Sequence, residues 1–237
     1  MSYFLTQDNF KSNDTVTLTG DEFTHAVKSR RMKIHESINI QDPSGTRYQC
    51  EIKEITSKKL TAAKEQKLTP NTESPLDLTL FIAITSLATL EFIIQKATEL
   101  GVTNIKLFPA TNSPSRDLDS IMRKLARFER IAIEAAKQSD RLQTPSIEVS
   151  SLNSISDPDY EAIYLCHPDQ ANKLKPTKKL EKAALIIGPE GGLSNKEVNY
   201  LSRLKNLTTI SLGNRILRSE TACISAISIL QHNFGDL

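Results

Sequence analysis

The rhythm of apolar and polar positions changes once along the 237 residues. In the first part, Thr15–Leu18, Ser37–Gln41, Arg47–Ile55 and Leu60–Gln66 are short runs that alternate or are rich in β-branched side chains. That pattern predicts strands, and Asp42-Pro43-Ser44-Gly45 reads as a turn between two of them. Asp21–Arg31 reads as one helix. Short strands with one helix predict a small barrel. Thr69-Pro70-Asn71-Thr72-Glu73-Ser74-Pro75 is polar, carries two prolines and reads as a linker.

Beyond the linker, strands and helices alternate. Leu76–Ala83 is a buried strand, and Leu90, Ile93, Ile94, Ala97 and Leu100 then share one helical face that ends at Gly101. Ile105–Phe108 is the next strand, and Ile121, Leu125, Phe128, Ile131 and Ala135 mark a second amphipathic helix. Further strands are expected at Ile163–Cys166, Ala184–Ile187 and Thr209–Leu212. Ser194-Asn195-Lys196-Glu197 fits a capping box, and Ser219–Gln231 is the last helix. The expectation is an α/β chain: a small β-barrel over residues 1–70, and a mostly parallel sheet with helices over residues 74–237.

Two C-terminal loops carry the chemistry. Ile187-Gly188-Pro189-Glu190-Gly191-Gly192-Leu193-Ser194 and Leu212-Gly213-Asn214-Arg215-Ile216-Leu217-Arg218-Ser219-Glu220-Thr221-Ala222 each follow a strand-like run and open a helix. Adjacent loops of this kind form a ligand pocket at the carboxyl ends of parallel strands. Gly188–Gly192 lacks the Gly-Lys-Ser/Thr ending of a phosphate-binding P-loop, so the pattern defines a ligand loop without naming the ligand. A tight strand–helix connection would need the same glycines. A third cluster is Glu134, Gln138 and Arg141, spaced four and three apart on one helical face. A solvated helix end fits that spacing too.

Thirty Lys and Arg against 28 Asp and Glu leave a net charge of +2, so nucleic-acid contact has to come from local patches. Three present themselves: Lys28, Arg30, Arg31 and Lys33; Arg116, Arg123, Lys124, Arg127 and Arg130; and Lys173, Lys175, Lys178, Lys179 and Lys182. Each fits phosphate binding or simple solvation. Cys50, Cys166 and Cys223 are scattered and the four histidines lack ligand spacing, which argues against a metal site and a disulfide scaffold and fits a reducing cytoplasm. No apolar run is long enough to span a bilayer.

Taken together, these motifs resemble the RsmE-type 16S ribosomal RNA uridine N3-methyltransferases, of the SPOUT class with a trefoil-knotted domain. The match is carried by Ile94–Val102, by Ile133–Ala136 with Gln138-Ser139, and by the two C-terminal loops. In the first part, His25–Met32, Ile38–Ile40 and Asp42–Gly45 resemble that family's PUA-like RNA-binding barrel. The resemblance covers nearly the whole chain. It implies S-adenosyl-L-methionine as cofactor, held in a cleft formed by the knot loops. Carried onto this chain, the lining is Leu165, His167, Ile187, Gly188, Pro189, Gly191, Gly192, Leu212, Gly213, Ile216, Leu217, Arg218 and Thr221.

The implied reaction is methylation of N3 of one uridine in the decoding region of small-subunit ribosomal RNA. N3 must lose its proton before it can attack a methyl group, which calls for a base or a cation beside the imide anion. Glu134 and Glu190 are candidate bases, and Arg141 and Arg218 candidate anion stabilisers. Gln138 is a candidate reader of the uracil edge, and Lys28, Arg30, Arg31, Lys33 and Arg116 are candidate RNA contacts. The family also implies a homodimer working in the cytoplasm on 16S ribosomal RNA or the small subunit, with no membrane and no metal. Rival readings are another methylation target such as a ribose 2′-hydroxyl, a non-catalytic assembly factor on the same fold, and a nucleotide-binding enzyme unrelated to methylation. The chain departs from the family at three places. Thr111-Asn112-Ser113-Pro114 replaces a common Thr-Glu-Arg-Ser run, Asp140 stands where many relatives have Gly, and Ser29-Arg30 replaces an apolar pair.

Overall fold

The computed structural model describes residues 3–115, 117–167 and 179–237. Arg116 and the cluster members Lys173, Lys175 and Lys178 lie outside the described residues. The chain divides into two compact units: Met1–Thr72 with Lys137–Gln143, and Glu73–Ala136 with Thr144–Leu237.

The first unit holds β1 (Phe4–Leu5), β2 (Thr15–Thr19), α1 (Gly20–Thr24), β3 (Ser37–Gln41), β4 (Arg47–Ile55) and β5 (Lys59–Leu68). The strands form one sheet in the order β1-β3-β4-β5-β2. β1 runs parallel to β3 and the other neighbours are antiparallel. Register shifts in β4 at Gln49/Cys50 and Ile52/Glu54 are the kind of irregularity that bends a strand and raises its twist. Phe4, Phe10, Val16, Leu18, Ile40, Ile52 and Leu60 fill the core of this unit.

The helix expected over 21–31 is α-helical only to Thr24 and continues as a π-helical turn, His25–Ser29, with Arg30 N–H donating to the His25 carbonyl at 3.0 Å. The wider turn keeps Phe23 and Ala26 buried while Lys28, Arg30, Arg31 and Lys33 stay exposed.

The second unit contains β6 (Asp77–Ala83), α2 (Leu87–Glu99), β7 (Asn104–Phe108), α3 (Leu118–Met122), α4 (Leu125–Gln138), β8 (Ser146–Val149), β9 (Ala162–Cys166), β10 (Lys182–Ile187), α5 (Asn195–Leu201), β11 (Leu207–Ile210) and α6 (Ser219–Phe234). The last residues of α4, from Lys137, group with the first unit. All six strands are parallel, in the order β11-β9-β10-β6-β7-β8. Their side chains alternate between two cores. Leu78, Leu80 and Ile82 of β6 and Leu185 and Ile187 of β10 face the cluster shared with α2 and α6. Phe81 and Ala83, with Ala184 and Ile186, face the other, which holds Leu201 of α5. A parallel sheet buried on both faces is the arrangement that near-continuous apolar strands require.

Local signals explain the helix starts. The Ser86 hydroxyl accepts from Thr89 N–H ahead of α2, and the capping box expected at Ser194 and Glu197 is formed in both directions. The single amphipathic helix expected around 121–135 is broken into α3 and α4, where Lys124 N–H turns back to the Ile121 carbonyl at 2.8 Å. The apolar period runs through the break unaltered, so it carried no sign of it. The strand expected over Thr209–Leu212 ends at Ile210, because Ser211 instead engages Gly213.

Candidate active site

The end of β9 and the loops that follow β10 and β11 meet at the carboxyl ends of those strands and line a cavity of about 370 Å³. Strand order reverses here, since β10 lies between β9 and β6 while β11 lies beyond β9. Crevices at such points are where parallel sheets hold ligands. The wall includes His167 from β9's end, Ile187, Gly188, Pro189, Glu190, Gly191 and Gly192 from the first loop, and Leu212, Gly213, Ile216 and Leu217 from the second. Eleven of the residues singled out from sequence are therefore brought together. Leu165 is not among them, because it points into the core below. Arg218 and Thr221 stand beside the lining residues Ser219 and Ala222 at the start of α6.

Cys166, inside the expected strand end Leu165–His167, also stands in this wall, as do Leu193, Asn195, Arg215, Ser219 and Ala222, which the expected lining left out. All of these but Asn195 are next in sequence to a residue it named, so loop spacing alone could have found them.

The chemistry of the wall is mixed. Ile187, Leu212, Ile216 and Leu217 are apolar surfaces suited to an aromatic ring, and Ile216 is 91% exposed. Gly213 has a φ of 110°, which side chains rarely adopt, and a Cβ built there would meet nothing within 4 Å. Open backbone at this point lets a ligand approach peptide N–H and C=O groups. No side chain caps α6 at its Arg218 N-cap, so its first N–H groups remain available beside the cavity with the positive end of the helix dipole. Burial pushes the Cys166 thiol up to about 12. A thiol kept protonated is a poor nucleophile, a useful property next to any alkylating ligand.

A second group of named residues belongs to the end of α4. Glu134 and Gln138 are exposed, whereas Arg141 is only 3% exposed. Within the first unit, the segment Lys137–Gln143 is fastened by a buried arginine from β4. Arg47 donates to Asp140 Oδ1 at 2.5 Å, to the Arg141 carbonyl at 3.1 Å and to Gln41 Oε1 at 2.9 and 3.1 Å. Its guanidinium also stacks over Tyr3 with 3.8 Å to the ring centroid, and Tyr3 Oη donates to the same Arg141 carbonyl at 2.7 Å. Lys137 Nζ pairs with Glu22 at 2.6 Å. Asp140 adopts a left-handed backbone, φ 61°, a conformation that costs most non-Gly residues energy and that Asp tolerates better than most. Among the described residues no cluster of His, Cys, Asp or Glu is arranged to hold a metal, and no helix is long and apolar enough to cross a membrane.

A parallel α/β sheet with a glycine-loop cavity at its switch point, joined in one chain to a small curled β-sheet unit, defines an RNA methyltransferase of the SPOUT class. Residues 72–231 match the model of the RNA methyltransferase domain, and residues 18–65 that of the RNA methyltransferase PUA domain. The chain belongs to the ribosomal RNA small subunit methyltransferase E family. It is 32% identical to that enzyme of Rickettsia conorii over 224 residues, 91% of this chain and 89% of the relative. The Bacillus subtilis enzyme is 28% identical over 96% of this chain and 94% of its own length.

Two solved structures share the fold throughout. The Neisseria gonorrhoeae ribosomal RNA small subunit methyltransferase E bound to S-adenosyl methionine superposes with a TM-score of 0.88 at 28% identity, covering 100% of this chain and 99% of the other. A Legionella pneumophila methyltransferase in complex with the same cofactor also scores 0.88 at 27% identity, covering 99% and 98%.

Proposed function

We propose that this protein transfers a methyl group from S-adenosyl-L-methionine to N3 of a uridine in the decoding region of 16S ribosomal RNA. The observation that carries the reading is the cavity at the ends of β9, β10 and β11, where eleven residues named from the family pattern converge. The cavity falls in the size range of small-molecule sites. Its apolar walls suit an adenine ring, its backbone is open at Gly192 and Gly213, and peptide groups of Gly188, Gly191 and Leu212 are proposed to hydrogen-bond ribose and adenine edges. The residues present therefore fit the cofactor, which when bound supplies a methyl group on a positively charged sulfur.

The protein's own residues have two tasks. One is to hold N3 in line with the methyl–sulfur bond, so that the N–C bond forms as the C–S bond breaks. The other is to take the N3 proton. Glu190, exposed at the cavity wall, and Glu134, exposed on α4, are the carboxylates proposed for it. Arg218, exposed at the start of α6, is proposed to stabilise the imide anion. Gln138 is proposed to read the uracil edge. Arg141 is 3% exposed, so in this arrangement its proposed share is the placement of the Gln138 segment.

The exposed cations Lys28, Arg30, Arg31 and Lys33 are proposed to contact the RNA backbone, where each phosphate contact adds salt-dependent affinity. Ile227 and Leu230 of α6 are buried in the core, so the apolar surface proposed for the homodimer on this helix is the exposed Ile229. Action on the ribosome puts the work of the protein in the cytoplasm.

The test is to incubate the protein with isotopically labelled cofactor and unmethylated small subunits or free ribosomal RNA, then map the methyl group by mass spectrometry. A methyl group on uridine N3 of 16S ribosomal RNA is expected. A methyl group on ribose or on another base atom would overturn the specificity, and an inert protein that still binds the RNA would support an assembly factor instead.

A further inference from the structure

No described residue of the loop after β7 lines the cavity wall, yet this loop grips the loop that does. Ala110 and Ser113 close a tight turn, with Ser113 N–H donating to the Ala110 carbonyl and the Ser113 hydroxyl accepting from Ala110 N–H, both at 3.1 Å. The turn presents Thr111 and Asn112. The Asn112 amide donates to the carbonyl of Gly191 at 3.0 Å and to that of Gly192 at 3.1 Å. Thr111 N–H donates to Glu197 Oε1 at 2.7 Å, while Glu197 Oε2 accepts from Ser194 N–H at 2.7 Å. One turn thus holds the glycine loop at its tip and at the helix start that follows it.

Two neighbouring carbonyls fixed by one amide fix two peptide planes. Because a trans peptide points its N–H opposite to its C=O, the grip on Gly191 turns Gly192 N–H away from Asn112, and it donates to Pro189 at 2.8 Å. The grip on Gly192 does the same for Leu193 N–H, which lies over Gly188 in the cavity wall; a Cβ on Gly188 would come within 3.4 Å of that nitrogen. Packing enforces the register, since a Cβ on Gly191 would meet the Asn112 Cβ at 3.0 Å.

We infer that Asn112 is a positioning residue for the cofactor loop, its paired hydrogen bonds to Gly191 and Gly192 fixing the Pro189–Gly192 turn and the Leu193 N–H in the wall that meets S-adenosylmethionine. The inference rests on the cofactor reading of the cleft. It concerns affinity for the cofactor rather than chemistry at the uridine, because Asn112 touches only loop backbone.

The experiment is calorimetric titration of the full chain with S-adenosylmethionine, for the wild type, Asn112→Ala and Asn112→Asp. Two neutral hydrogen bonds of ordinary net strength correspond to about a 30-fold rise in Kd for the Ala variant if their whole effect reaches the cofactor, and about 5-fold if half of each does. The Asp variant keeps the volume but faces two carbonyl oxygens with a carboxylate, so its Kd should rise further. The KM for the cofactor should rise with it while kcat at saturating cofactor stays within about twofold. The thermal midpoint without cofactor should stay within about 2 °C, because Asn112 is exposed. Wild-type affinity in Asn112→Asp overturns the inference, as does an affinity loss matched by an equal loss of cofactor-free stability. A wild type that binds no S-adenosylmethionine overturns the cofactor reading and the inference together.

Discussion

Replacing Arg47 with methionine tests the fastening of the Lys137–Gln143 segment within the first unit. Arg47 is 3% exposed and serves Asp140, Gln41 and the Arg141 carbonyl together. Removing one partner of a buried ion pair costs about 3–5 kcal/mol. The Asp140 side chain is 37% exposed and can be rehydrated, which lowers the expectation to about 2–3 kcal/mol, most of it from the buried Gln41 oxygen left without its donor, while the Arg141 carbonyl keeps Tyr3 Oη. Asp140→Gly should behave differently. It leaves the 3%-exposed Arg47 guanidinium without its carboxylate, at about 2 kcal/mol, but relieves the left-handed backbone by about 1 kcal/mol, so the net cost is about 1 kcal/mol. Asp140→Ala loses the pair and keeps the strain, and should cost about 2–3 kcal/mol. The assay is urea unfolding by circular dichroism, with hydrogen exchange on the 137–143 peptide to localise the effect. Exchange there should accelerate in Arg47→Met, and methyl transfer should fall while calorimetric cofactor affinity is kept. A neutral Arg47→Met, or an Asp140→Gly as damaging as Arg47→Met, would refute the idea that this arginine orders the segment.

Three further outcomes follow from single environments. Cys166, held near 12 by burial, has only about one thiolate in 10⁴ molecules at pH 8; peptide mapping after iodoacetamide treatment should find it labelled orders of magnitude more slowly than an exposed thiol, and fast labelling at pH 8 would contradict that environment. Burial pushes the Glu197 carboxyl up, but hydrogen bonds from the Ser194 side chain, the Ser194 amide and Thr111 outweigh it and leave the group below its ordinary 4.5. A depressed folded-state value means that the stability Glu197 lends is fully present above about pH 4.5 and is lost as pH falls through the lower folded value; the gap in unfolding midpoint between wild type and Glu197→Gln should therefore close on acidification, and a gap that widens would reverse the sign. Gln231 is fully buried, donates to the Leu100 carbonyl at 2.8 Å and accepts from the Ser74 hydroxyl at 2.7 Å. Its replacement by alanine should cost about 2–4 kcal/mol through orphaned groups and a cavity, and an unchanged urea midpoint would show that water substitutes there.

Much of the architecture could be read from the chain because it is encoded in local periodicity. Ser37–Gln41 and Arg47–Ile55 form strands over the expected residues, and the capping box at Ser194 starts α5 as its spacing requires. What escaped was short or non-periodic. β1 has two residues and β8 four, too few for alternation to register. The break between α3 and α4 leaves the apolar stripe of Ile121, Leu125 and Phe128 in phase. The π-turn at His25 differs from an α-turn by one residue per turn, which an eleven-residue window does not resolve. The trefoil knot has no periodic signature at all and was expected only from the family resemblance.

The two ends of the site differ in how far a sequence can specify them, and the reason is physical. A cofactor met by open backbone needs glycines, turns and helix starts at fixed spacing. Those requirements leave a linear pattern, which is why Ile187–Gly192 and Leu212–Leu217 converge on one wall. The proposed RNA contacts are exposed side chains, where a cation serves equally well from several positions and a charge run is also a good solvated surface. The departures from the family fall at that end and at the supports of the loops. Asp140 takes a glycine's backbone and is joined by Arg47, and Asn112 occupies a substituted run and grips two glycine carbonyls. At the first a side chain pairs with a buried arginine, and at the second a side chain holds backbone carbonyls. Such substitutions change which residue holds a loop while leaving the loop's own motif intact, so a pattern that reads the loop does not reveal its support.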